Sequence, residues 1–136
     1  MRMRCAAVVA AAVGVAGCGD DEDYANHERP AAAINVTAAI ADGRIHVSPR
    51  SFGAGPIRLI VSNQTTSAQA VTLATGGEAS GVTQTTEPIT PAGTGTLEID
   101  VPEGDHEIST DDRKVRPATV KVGAARPSAQ NELLLP

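Results

Sequence analysis

Side chains capable of chemistry are few in this 136-residue chain, and they are scattered. His27 lies in a polar, acidic stretch, whereas His46 and His106 fall singly on segments of alternating hydrophobicity. A zinc site needs three or four clustered ligands. No His-x-x-x-His or paired-cysteine spacing supplies them. Glu103, Asp105, Glu107, Asp111 and Asp112 form the densest acidic patch, with Arg113, Lys114 and Arg116 beside it to neutralise part of it. Such a patch can hold calcium weakly, but as a solvated hairpin end it also blocks edge pairing with other chains, and that is its expected role. His46, His106, Asp105 and Asp111 are therefore only weak metal candidates, and both histidines are expected to be exposed or satisfied structural residues. Gly77-Glu78-Ala79-Ser80-Gly81 places a serine among small residues, but the spacing is not that of a nucleophile elbow and no strand-turn-helix context follows. Gly53-Ala54-Gly55 and Gly93-Thr94-Gly95 lack the basic residue and helix of a phosphate loop and read as turns. No catalytic residue and no cofactor are expected.

The remaining reactive group is a thiol. Arg2 and Arg4 precede an apolar run over residues 6–16, well short of the roughly 20 residues that span a bilayer and without the polar face of a buried core helix. The run ends in Val15-Ala16-Gly17-Cys18. This stretch resembles the lipobox of bacterial lipoprotein signals. The resemblance implies cleavage after Gly17, a diacylglycerol thioether on Cys18 and acylation of the new amine. Each buried methylene contributes about 0.8 kcal/mol, so two or three acyl chains anchor stably where one is marginal. Residues 1–17 are thus expected to be a signal peptide and residues 18–30 an acidic tether. The protein is expected on the extracytoplasmic face of a cell membrane, held there by lipid.

Composition limits the partners. The chain carries 11 basic and 16 acidic side chains, and losing Arg2 and Arg4 with the signal leaves a net charge of −7. That sign argues against nucleic acid and anionic headgroups as partners. Cys5 leaves with the signal and Cys18 is modified, so the folded domain has no disulfide and depends on its apolar core. Tyr24 and Phe52 are the only aromatic residues, which excludes ring-stacking surfaces for sugars or single strands and predicts a core of Val, Ile, Leu and Ala. Residues 19–30, rich in Asp and Glu, read as an extended spacer of roughly 20 Å root-mean-square span.

What positions the scattered side chains is a set of short strands. Ile34, Val36, Ala38 and Ile40 share one face of the first, and Asp42-Gly43 is a hairpin turn. Ile45 and Val47 continue the alternation until Pro49, and Phe52 then offers the only large core ring, beside a flexible Gly53-Ala54-Gly55. Ile57, Leu59 and Val61 form a third strand closed by Asn63, with Ile60 on its second face marking it as central. Val71 and Leu73 mark a fourth. Residues 82–87 form a Thr-rich edge strand before Pro88. Leu97, Ile99 and Val101 face inward on a sixth, His106 and Ile108 on a seventh, and Ala118, Val120 and Val122 on the last. Seven or eight strands with turn signals between them predict an all-β, Greek-key β-sandwich over residues 31–123, with a polar tail over residues 124–136.

Val47-Ser48-Pro49 followed by Gly55-Pro56-Ile57-Arg58-Leu59-Ile60-Val61-Ser62-Asn63 resembles the second and third strands of cupredoxin-like domains. Ile89-Thr90-Pro91-Ala92-Gly93-Thr94, Leu97-Glu98-Ile99-Asp100-Val101 and Pro102-Glu103-Gly104-Asp105-His106-Glu107-Ile108 resemble the closing strands. An immunoglobulin-like sandwich is the alternative. The resemblance puts the family's first copper histidine at Gln69, its tyrosine at His106, its copper cysteine at Thr110 and its second histidine near Arg113, and no methionine follows Met3. Every ligand position is vacant, which sets type-1 copper electron transfer aside. The reading favoured by the sequence is a membrane-anchored, non-catalytic module that binds or scaffolds another envelope component. Leu133, Leu134 and Leu135 are the candidate contact with a protein partner. The alternatives are a metal carrier built on His46 and His106, and an envelope hydrolase built on Ser80.

Overall fold

A computed structural model describes residues 30–75 and 81–128. The described residues form eight strands: β1 (Ile34–Ala41), β2 (Arg44–Ser48), β3 (Ser51–Asn63), β4 (Val71–Thr75), β5 (Thr83–Thr85), β6 (Thr94–Val101), β7 (Gly104–Thr110) and β8 (Ala118–Ala125). They pack as two layers. In the first, β3 lies between β1, parallel to it, and β6, antiparallel to it, with β2 on the outer side of β1. In the second, the order runs from the start of β3 through β8, β7 and β4 to β5.

The alternation read from the sequence is what makes the layers. Val36, Ala38 and Ile40 of β1 and Ile57, Leu59 and Val61 of β3 are buried, while Thr37 and Arg58 between them are exposed. The buried apolar residues are all aliphatic, with Leu59, Val61 and Ile40 shut off completely and Phe52 only partly buried against them. Phe52 is thus not a central core ring. Asp42 (φ 52°) and Gly43 (φ 68°) both take the left-handed backbone that a two-residue hairpin of this twist requires. Ile60 is half-buried on the outer face of its sheet, as expected of a strand with a neighbour on each side.

Two segments differ from the sequence reading. Gly53-Ala54-Gly55, beside Phe52, reads as a flexible approach to the third strand, and Ser51 to Ala54 lie outside any strand in that reading. Instead they are part of the strand, pairing in parallel with Lys121–Ala125 of β8 before the chain crosses to the other sheet. The crossing occurs at Gly55, whose φ of 130° is a conformation open to glycine. The second segment is residues 124–125, read as the beginning of a tail. Ala124 and Ala125 extend β8, because the same β3 segment pairs with Gly123 and Ala125 across a register shift at Ala124. Neither pairing leaves a local signature.

Arg126 secures this crossing. Its guanidinium donates from Nη1 to the carbonyl oxygen of Ala32 (2.7 Å), from Nε to that of Gly53 (3.1 Å) and from Nη2 to that of Pro56. The missing side chain at Gly53 makes room for it, since a Cβ there would sit 2.7 Å from Arg126 Cγ. One side chain thus ties the start of β1, the bend of β3 and the end of β8.

Candidate functional site

The positions that the sequence resemblance assigns to copper ligands lie near the end of β3, the start of β4 and the end of β7. Val71 pairs with Thr110, and one residue beyond, Ala70 N donates to Asp111 Oδ1 (3.0 Å) while Asp111 N donates to the Ala70 carbonyl (3.3 Å). Gln69, Thr110 and the loop carrying Arg113 therefore converge as the sequence resemblance implies. The loop folds on itself. The Thr110 hydroxyl donates to the Asp112 carbonyl (3.1 Å), and Lys114 N donates to Asp112 Oδ1 (2.9 Å).

Asn63, fully buried at the tip of β3, organises this end. Its Nδ2 donates to the carbonyls of Ser67 and Ile89, both at 2.8 Å. Its Oδ1 accepts from Thr65 N (3.0 Å) and from the Thr65 hydroxyl (2.7 Å). Its backbone joins Gly93 and Ala92. The sequence marks Asn63 only as the end of a strand; its role in holding three loops depends on contacts far along the chain.

Gln69 is 2% exposed. Its backbone exchanges two hydrogen bonds with Ile89, and its Nε2 donates to the Ser67 hydroxyl (3.0 Å). Its Oε1 finds no hydrogen-bond partner among the described residues. A carboxamide, a hydroxyl and an exposed guanidinium are thus the groups at the positions to which the sequence resemblance assigns two imidazoles and a thiolate. A guanidinium has no lone pair to offer a metal, and neither of the others replaces a thiolate. These residues do not fit copper.

The weaker metal candidates are separated. His106 is 1% exposed, inside the second sheet, and its Nε2 lies 2.8 Å from the Pro102 carbonyl oxygen. Because a carbonyl only accepts, that nitrogen carries the hydrogen, and His106 is a satisfied structural histidine. His46 is exposed on β2 opposite Ala39, beside a shallow depression of about 380 Å³ lined by Thr37, Ser48, Ile60 and Ser62. Asp105 is exposed on β7, and Asp111 is committed to Ala70. Among the described residues no three His, Cys, Asp or Glu side chains stand close enough to hold a metal ion.

Arg116 also differs from its expected place. It forms no ion pair with the acidic patch; among the described residues the one ion pair is Arg58–Glu98 (2.7 Å), exposed on the first sheet. Arg116 instead bridges to Arg44, through Ile45 N to the Arg116 carbonyl (3.0 Å) and Arg116 N to the Gly43 carbonyl (2.9 Å). Gly17, Cys18, Ser80 and Leu133 to Leu135 lie outside the described residues.

No family model matches the chain, and no curated protein sequence matches it. Solved structures do. The chain is similar to auracyanin A, a "blue" copper protein from the green thermophilic photosynthetic bacterium Chloroflexus aurantiacus, at a TM-score of 0.56 and 11% identity, over 68% of this chain and 100% of that one. It is similar to auracyanin from the photosynthetic bacterium Roseiflexus castenholzii at a TM-score of 0.50 and 13% identity, over 68% of this chain and 98% of that one. The fold is therefore a cupredoxin-like sandwich rather than an immunoglobulin-like one. At these identities the likeness speaks to the fold alone.

Proposed function

We propose that this chain is a cell-envelope lipoprotein whose cupredoxin-like body serves as a non-catalytic binding or scaffolding module and not as a copper electron carrier. What supports the reading of the body is the donor set: Gln69, Thr110 and Arg113 are the residues that the sequence resemblance assigns to the copper-ligand positions, and Asn63 draws the surrounding loops into hydrogen bonds among themselves. The Val15-Ala16-Gly17-Cys18 motif supports the anchor, and Leu133 to Leu135 offer an apolar contact for a partner protein.

Mass spectrometry of the protein isolated from its own host tests the anchor. The expected result is a chain beginning at Cys18 with a diacylglycerol thioether, and Cys18→Ser releases the protein from the membrane fraction. Cys18 unmodified, or Met1 still in place, overturns it. Titration of the full chain with Cu²⁺ tests the body. No stoichiometric binding and no intense visible charge-transfer band are expected, and either would overturn the non-redox reading.

A further inference from the structure

The seam where β2 leaves one sheet and the chain enters the other holds an open pocket of about 360 Å³ beside β8. Arg44, Arg50 and Arg116 line it, over a floor that includes Ile45 and Ala118, with Thr119 at hand as a neutral hydroxyl. None of the three guanidiniums has a hydrogen-bonding or ion-pair partner among the described residues, although the chain has more acidic side chains than basic ones. The clustering is built in by the backbone. Arg44 and Arg116 are bridge partners held by two main-chain hydrogen bonds, and the Arg50 carbonyl accepts from Lys121 N (2.9 Å) on the adjoining strand. Like charges set opposite each other across a strand pair destabilise it. An acidic protein that fixes three unpaired guanidiniums around one cavity carries a cost that a bound anion removes.

We propose that this pocket is a binding site for a small multivalent oxyanion, one bearing two or more phosphate or carboxylate groups. Guanidinium is the side chain suited to this task, because its planar fork meets carboxylate and phosphate oxygens in pairs. Three forks around one cavity favour a ligand with several anionic groups over a single monovalent ion. The volume suits a small molecule. The site is separate from the Gln69 end of the sandwich and does not depend on the lipid anchor, so failure at Cys18 leaves it standing.

The test is calorimetric titration of the full-length chain in non-ionic detergent at low ionic strength, with inorganic pyrophosphate and with citrate. Saturable one-to-one binding of at least one probe is expected, weakened about tenfold or more in Arg44→Gln/Arg116→Gln and less than about twofold in the control Arg58→Gln, whose guanidinium already has Glu98. Pyrophosphate preferred over citrate assigns phosphate chemistry to the natural ligand, and the reverse assigns carboxylate chemistry. The thermal midpoint of the wild-type chain rises with the bound probe, and that of the double variant does not. The three positions are exposed, so circular dichroism of the double variant is expected to match the wild type. No saturable binding by either probe, or equal binding by the double variant, overturns the proposal.

Discussion

Around Asn63 the side-chain amide spends all its hydrogen-bonding capacity on the protein's own loops, whereas along the β2–β8 seam three arginines spend none of theirs. Both regions are polar and both are set by backbone pairing between distant strands. The difference lies in what completes them. A buried amide must find partners inside the protein, because leaving it unmet costs about 1–3 kcal/mol per group. An exposed guanidinium tolerates solvent and is free to take a ligand. Satisfied polarity at the Asn63 end therefore points to structure, and unsatisfied charge at the seam points to recognition. Arg126 shows that the distinction is not one of residue type, since there an arginine meets three carbonyls and acts as a structural tie.

The largest effect expected from this contrast is at Asn63. Asn63→Ala removes one of the two donors at the carbonyls of Ser67 and Ile89, which keep the Thr65 hydroxyl and Gln69 N, and leaves the amide of Thr65 without its side-chain acceptor, and about 3 kcal/mol of stability is expected to go. Urea unfolding followed by circular dichroism measures it. A loss under about 1 kcal/mol, as a surface substitution gives, would mean that the loops hold themselves and that Asn63 is not the organiser.

Arg126→Ala comes next, at about 2 kcal/mol, because charge-assisted hydrogen bonds are strong but this guanidinium is only partly buried. Arg126→Lys is expected to recover less than half, since an ammonium cannot reach carbonyls in three directions as a planar fork does. Full recovery by lysine would show that charge or stem packing, rather than the fork, makes the tie.

Much of this molecule is written in local pattern. The alternation in residues 34–41, 57–63, 97–101 and 118–122 places the strands and their buried faces, and Asp42-Gly43 places a turn. The crossing of β3 between sheets is not local. Ser51 to Ala54 has the composition of a loop, and only β8 makes it a strand. The donor types at Gln69, Thr110 and Arg113 were legible, because they are a matter of which residues are present. The arginine pocket was not. Arg44 opens β2, Arg50 lies in the short link between β2 and β3, and Arg116 is on a distant loop, where its sequence neighbours Asp111 and Asp112 suggest a different partner. Only the parallel bridge between Arg44 and Arg116 and the backbone bond between Arg50 and Lys121 bring the three charges together.

Gln69 sharpens the contrast from the other direction. It is the exception at the Asn63 end, with one buried acceptor unmatched among the described residues. Gln69→Met removes that acceptor while keeping the volume, and gives up the single bond from Nε2 to Ser67. The expected result is a gain of about 1 kcal/mol in urea unfolding, because an orphaned polar group costs more than one neutral hydrogen bond returns. A loss of similar size would show that Oε1 is satisfied in solution, as by a buried water.

The smallest effect is the one that separates the two regions. Arg44→Gln removes one of two like charges that the backbone holds opposite each other and breaks no side-chain hydrogen bond seen among the described residues. At low salt it is expected to raise stability by about 0.3 kcal/mol. The gain fades near 1 M salt, where the screening length falls to about 3 Å. With pyrophosphate present the order reverses, because a ligand that binds the folded state stabilises the wild-type chain by an amount that grows with its concentration, and the variant forgoes it. Thermal unfolding with and without pyrophosphate, at low and high salt, reads all of these at once. If Arg44→Gln instead cost more than about 1 kcal/mol without ligand, Arg44 would be structural in the manner of Arg126, and the seam would lose its claim to be a surface waiting for an anion.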